Sequence, residues 1–245
     1  MDEKLIKKEP LGNGCFVYVS PRHTFGTDAV LLADFAAARK DDRLVDLGTG
    51  CGIIPFLILR NGALKSAVGV EISSEAAALA KRTESELKTG KFTALNADLK
   101  DLKGRIEFGC HTLVTCNPPY KAPGAGLKNP DSIKAAARHE TECTLRDIIE
   151  VSSRLLQTSG RLCMCHRPER LAELISLMRE FKTEPKRLRL VCQREGEEPW
   201  LVLIEGRKCS NTGLRIMPPL YIEKNGALSP DMEKIYGAYK EAYMN

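Results

Sequence analysis

The chain has 245 residues, 43% hydrophobic and 28% charged, with a formal net charge of +5. That supports one well-buried α/β domain and is too short for two comfortable ones. Its longest apolar stretch, Gly52–Leu59, falls far below a membrane span, and Met1–Pro10 is charged where a secretory leader is apolar. A soluble, cytoplasmic protein without a membrane partner is therefore expected, while the mild positive charge permits an RNA partner without establishing one.

In chain order, Leu11–Ser20 has short β character and Phe25–Ala38 reads as a helix leading into a first core strand, Arg43–Leu47. Gly52–Asn61 is helix-like and the valine-rich Ser66–Ile72 is a strand. Ser73–Lys88 is an alanine-rich helix with Ser73 or Ser74 as N-cap and Gly90 past its end. Lys91–Ala97 and His111–Cys116 read as the third and fourth strands. Leu145–Leu156 is helical, Arg161–His166 a strand and Glu169–Phe181 a helix, with Arg187–Cys192 and Trp200–Ile204 as the last two strands. Strands alternating with helices predict a mostly parallel sheet covered on both faces. The connection Gln193–Pro199 is too short for a helical crossover, so the last two strands should pair antiparallel.

The expectation is an α/β, Rossmann-like, seven-stranded sheet with helices on both faces and an antiparallel last strand. The chain divides into an N-terminal β and helical segment (1–40), a core (41–208) and a C-terminal extension (209–245). The extension carries Pro218-Pro219, Asn225-Gly226 and a helix-like Met232–Tyr243. Nine scattered cysteines include no C-x-x-C pair. Alternation points Cys163 and Cys165 to one face of a strand, as buried small hydrophobes, so no metal site is expected.

Three features carry chemistry. Val45-Asp46-Leu47-Gly48-Thr49-Gly50-Cys51-Gly52 joins the first strand to the next helix. Its glycines can take positive φ and let a ligand approach the backbone closely. The spacing is G-x-G-x-G, with Ile53 where a dinucleotide-binding loop has its third glycine. Asp46 just before the loop suits a cofactor with an ammonium group better than a pyrophosphate. Glu71 ends the second strand, where a carboxylate can take both hydroxyls of a ribose, and Asp98 follows the third, placed to accept from an adenine amino group. Then comes Cys116-Asn117-Pro118-Pro119-Tyr120. Two prolines leave backbone carbonyls free as acceptors, and Asn117 adds a side-chain oxygen. Together these can grip an amino group on a planar ring, and Tyr120 can stack on that ring.

These residues resemble the class I S-adenosylmethionine-dependent amino methyltransferases over roughly Leu11–Lys208. Within them the chain looks most like the bacterial tRNA (adenine-N6) methyltransferases that modify adenine 37 of a valine tRNA. The run Phe25-Gly26-Thr27-Asp28-Ala29-Val30-Leu31-Leu32 also matches that family. The resemblance implies S-adenosyl-L-methionine as cofactor, with Asp46, Gly48 and Gly50 at its methionine end and Thr27 and Asp28 nearby. It gives Glu71 to the ribose, Asp98 and the Leu99 backbone to the adenine, Asn117, Pro118 and Tyr120 to catalysis, and Asn117 to the cofactor as well. A helix N-terminus with Thr27 as its cap explains that run equally well.

The competing readings are a glutamine-amide methyltransferase of release factors, a ribosomal RNA guanine-N2 methyltransferase, and a non-catalytic RNA-binding protein that kept the fold. The 45 residues before Asp46 are too few for the helical domain of the first, and Tyr120 stands where the second often has Phe. Eroded motifs would mark the third, and none is eroded. Lys121, Lys128, Lys134, Arg138 and His139 follow the active-site motif, and Lys121 and Arg138 are the candidate contacts to an RNA, expected to be a tRNA. Arg179, Lys182, Lys186, Arg187, Arg189 and Arg194 form a second basic cluster, which reads as surface charge. Oligomeric state is left open, and a monomer is compatible.

Overall fold

The computed structural model describes residues 3–118, 143–237 and 239. It opens with a hairpin, Lys7–Gly12 (β1) against Cys15–Val19 (β2). Asn13 and Gly14 turn it with φ of 53° and 72°, the pair such a turn favours. Helix α1, Thr27–Phe35, starts at Gly26, which has no side chain to cap it. Thr27 lies inside the first turn and its hydroxyl faces Tyr236 Oη at 3.4 Å, so the Thr27 cap is not formed. Asp28 shares a first-turn amide instead: Ala29 N donates to its Oδ1 at 3.0 Å and to Gly26 O at 3.2 Å.

The core follows as Arg43–Leu47 (β3), Ile53–Leu59 (α2), Ser66–Glu71 (β4), Ser74–Leu87 (α3), Phe92–Asn96 (β5) and His111–Cys116 (β6). Ser73 caps α3 by accepting from Ala76 N. Next come Leu145–Leu155 (α4), Leu156–His166 (β7), Leu171–Glu180 (α5), Thr183–Cys192 (β8) and Pro199–Lys208 (β9). Thr144 and Asp147 close a capping box on α4, which fixes where that helix begins.

The sheet runs β5-β4-β3-β6-β7-β9-β8. All neighbours are parallel except β9, which is antiparallel to both β7 and β8, as the short 193–198 connection requires. The C-terminal extension adds Arg215–Ile216 (β10) and Leu220–Tyr221 (β11), both parallel on the outer edge of β8, so among the described residues the sheet has nine strands, the expected seven and these two. A small hairpin, Glu223–Lys224 (β12) with Ala227–Leu228 (β13), and a helix, Pro230–Tyr236 (α6), end the described chain.

Strand alternation sorts the core into two layers. Leu44, Leu113, Cys163 and Cys165 point to one face, with α1, α2 and α3 contributing Leu31, Leu32, Phe56 and Leu79. Val45, Val114, Leu162 and Met164 point to the other, against Ile149 and Leu155 of α4 and Leu174 and Met178 of α5. Each of these fully buried aliphatic, methionine or phenylalanine side chains stabilises the fold by about 1.5–3 kcal/mol. No helix among the described residues is long and apolar enough to cross a membrane.

Candidate active site

Register alone brings the motif residues together. β3 pairs with β4 through Leu47 and Val70, and with β6 through Leu47 and Cys116. The next residue on each strand is Gly48, Glu71 or Asn117, so these three come level at one edge of the sheet. β6 pairs with β7 through Cys116 and Met164, which sets Cys165 beside Asn117. β3 continues to β4 on one side and has β6 on the other. This is the sheet's switch point, where open α/β sheets form their ligand crevice.

Gly48, Gly50 and Gly52 all take positive φ, at 70°, 55° and 88°. A Cβ added at Gly48 or Gly50 would meet nothing within 4 Å, so open space lies over the loop there. At Gly52 it would strike the Phe56 ring at 2.9 Å, so this third glycine serves packing as well. The loop is tied to β4: Gly48 N and Thr49 N donate to Val70 O at 2.9 and 3.0 Å. Gly50 N donates to Glu71 Oε2 at 2.8 Å, and Ser73 N donates to Glu71 Oε1, also at 2.8 Å. Glu71 thus braces both the loop and the start of α3. Each carboxylate oxygen can accept a second bond, so capacity for two hydroxyls remains.

Asp46 is 1% exposed. Its Oδ1 accepts from Thr115 Oγ1 at 2.6 Å, while its Oδ2 is buried without a partner, as is Thr49 Oγ1. Burial pushes the Asp46 carboxyl up to about 7, the Thr115 hydroxyl bonded to its Oδ1 opposes that, and the nearby charge of Glu71 adds to it.

Beyond Glu71 the chain presents Ile72, 48% exposed. Asn96 Nδ2 donates to both Glu71 O and Ile72 O, at 2.8 and 3.0 Å, and fixes the shape of this strand end. Asp98 is half-exposed, accepts from Lys100 N at 2.8 Å and lies 3.7 Å from Lys100 Nζ; Leu99 packs beside the second core layer. Sequence reasoning missed Ile72, although an apolar residue directly after a strand-end acid was a legible sign of it. It also missed Thr115 and Asn96, whose roles depend on strand neighbours and leave no local pattern.

Asn117 is half-buried at the tip of β6, followed by the buried Pro118. Its Nδ2 donates to Asp28 Oδ2 at 3.1 Å, and the Cys165 thiol donates to its Oδ1 at 3.0 Å. The structure therefore brings Asp28 to Asn117. Tyr120, Lys121, Lys128, Lys134, Arg138 and His139 lie outside the described residues.

The second basic cluster is largely paired. Arg179 meets Glu184 at 3.4 Å, Arg187 meets Glu205 at 2.8 Å, and Arg189 meets Asp231. Arg194 meets Glu223 at 2.6 Å and Glu197 at 3.4 Å, while Lys186 Nζ donates to Asn211 O at 3.0 Å. A pocket of about 540 Å³ in the C-terminal extension is lined by Arg194 and Lys224 against Glu195, Glu223 and Asp231, with no excess of positive charge. Burial raises the thiols of Cys51 and Cys163 to about 12, so both are protonated near neutrality. Among the described residues no group of His, Cys, Asp and Glu could hold a metal ion.

Comparison with known proteins shows the family and the fold. Residues 17–187 match the methyltransferase small domain family. The chain is 28% identical over 219 residues to the tRNA1(Val) (adenine(37)-N6)-methyltransferase of Parabacteroides distasonis, covering 84% of this chain and 89% of that one. It is 29% identical over 192 residues to the enzyme of the same name from Porphyromonas gingivalis, covering 74% and 73%. Its fold matches the crystal structure of a predicted O-methyltransferase from Agrobacterium tumefaciens with a TM-score of 0.69 and 23% identity, over 86% of this chain and 96% of that one.

Proposed function

The chain belongs to the methyltransferase small domain family and is an S-adenosylmethionine-dependent methyltransferase, and we propose that it methylates the exocyclic N6 of an adenine in tRNA, at position 37 of a valine tRNA. The observation that carries this reading is Asn117-Pro118 at the switch point, level with the glycine loop and Glu71. The names of the relatives from Parabacteroides and Porphyromonas support the acceptor.

The residues present fit the cofactor. Asp46 offers a buried carboxylate oxygen without a partner, toward which an ammonium donor can be drawn. Gly48 and Gly50 leave open space above the loop, Glu71 keeps capacity for two hydroxyls, and Ile72 offers an apolar surface to a flat ring. Asp98 and the Leu99 amide are assigned to the edge of that ring, and Thr27 to the side of the site lined by α1. When bound, S-adenosylmethionine supplies a methyl group on a positively charged sulfur, open to in-line attack by a nitrogen lone pair.

The chain's own residues then prepare the nitrogen. Asn117 Oδ1 and the Pro118 carbonyl accept its two hydrogens and draw the amino group toward tetrahedral geometry. No base is needed before attack, because the proton leaves once the nitrogen has become cationic. Tyr120 stacks on the base, and Lys121 and Arg138 contact RNA phosphates.

Purified protein incubated with S-adenosylmethionine and unmodified tRNA tests the reading by nucleoside analysis. N6-methyladenosine should form, and Asn117→Ala should lower its rate by about 100-fold or more. Formation of a different methylated nucleoside, or equal rates for the variant, would refute it.

A further inference from the structure

A carboxamide works as the grip for an amino group only if its oxygen, and not its nitrogen, faces the substrate. The two ends of Asn117 are similar in size, so something must select between them. Asp28 Oδ2 meets Nδ2 at 3.1 Å, and the Cys165 thiol meets Oδ1 at 3.0 Å. A carboxylate accepts and does not donate, so Asp28 tolerates the nitrogen end and repels the oxygen end. Its own position is held by Ala29 N on Oδ1, and Gly26 leaves room for it, since a Cβ there would lie 2.7 Å from that same oxygen. A thiol is a weak donor, so the bond it gives Oδ1 is easily exchanged for a stronger one.

We propose that Asp28 and Cys165 are positioning residues that set the polarity of the Asn117 carboxamide. Asp28 holds the nitrogen end away from the substrate. Cys165 satisfies the oxygen end in the free enzyme and yields it when the substrate amino group arrives. The inference rests on Asn117 being the acceptor of that amino group. It gives the Gly-Thr-Asp run a role on the catalytic amide in place of a contact to the cofactor's methionine end.

The test combines kinetics with a readout that needs no substrate. Asp28→Asn can present either end of its own amide, so the selection is lost. Its kcat should fall by about 10- to 100-fold, while its Kd for S-adenosylmethionine, measured by calorimetry, stays within about twofold. In NMR spectra of the wild-type protein, one Asn117 side-chain amide proton should lie downfield, and Asp28→Asn should return it toward the free position. Cys165→Ser places a stronger donor on Oδ1 and Cys165→Ala none, so kcat of the Ser variant should be the lower by about threefold or more.

A wild-type kcat for Asp28→Asn, a loss confined to cofactor affinity, or an unchanged Asn117 amide resonance would overturn the role of Asp28. Equal kcat for the two Cys165 variants would overturn that of Cys165. Because Cys165 is fully buried, the Asn117 side-chain carbonyl shift in Cys165→Ala decides this arm if the Ser variant does not fold: it should move upfield. A wild-type enzyme that fails on tRNA would sink the acceptor assignment, and the resonances would still decide the inference.

Discussion

Under the proposed function, Asp46 is the residue at which the charge of the site couples to its occupancy. Its folded-state carboxyl is raised from 3.8 to about 7 by burial, so across that range the folded chain holds a proton that the unfolded chain has released. Its contribution to stability is therefore present at low pH and is lost as pH rises toward 7. A cofactor ammonium favours the ionised form, so binding in this window should expel the proton. Calorimetry at pH 6 in two buffers of different ionisation enthalpy should show proton release, and affinity for S-adenosylmethionine should tighten up to about pH 7 and then level. Asp46→Asn should remove both effects; an unchanged pH profile in that variant would mean that Asp46 does not titrate against the cofactor. At this same scale the limits of the sequence are clear. Asp46, Glu71 and Asn117 were legible because strand-end carboxylates and Asn-Pro-Pro are local patterns. That Glu71 also braces Gly50 and Ser73, or that Cys165 faces Asn117, depends on which strands become neighbours.

The elements are joined at points where a side chain has no room. Gly69 lies in the middle of β4, and a Cβ there would come 2.7 Å from Thr49 Cγ2 and 2.9 Å from the Phe92 ring. Thr49 belongs to the glycine loop after β3, so strand and loop meet at this glycine. Gly69→Ala should destabilise the protein by about 1–3 kcal/mol in urea unfolding and weaken S-adenosylmethionine binding together with it. An unchanged midpoint would show that the loop absorbs the methyl group freely. Most elements could be read from periodicity and caps: β3 and β6 fall where their apolar runs do, and Ser73 caps α3. The failures have physical causes. β7 begins at Leu156, before the expected Arg161, because the polar Gln157 and Thr158 at its start hid the strand. Likewise β10 and β11 are two-residue strands held by the edge of β8 and have no periodicity of their own.

On the scale of the whole molecule, the +5 charge is a poor guide to the substrate surface. Arg161 is buried between Asp42 at 2.7 Å and Glu205 at 3.9 Å, and Arg187 shares Glu205. Arg179, Arg189 and Arg194 are held by acids of neighbouring segments. Exposed pairs of this kind contribute little to stability, but they leave these cations poorly placed to serve a polyanion. Under the proposed function, Lys121 and Arg138 are therefore the cations to test for RNA contact, and not this cluster. The fold class was legible from the alternation of strands and helices and from one short connection; the added edge of the C-terminal extension was not.

The most direct measurement uses purified protein with methyl-labelled S-adenosylmethionine and an extract from cells lacking the gene, later separated into RNA, DNA and protein. The account predicts label in tRNA that digests to N6-methyladenosine and is lost with Asn117→Ala. Label in a protein the size of a release factor, with none in tRNA, would contradict it.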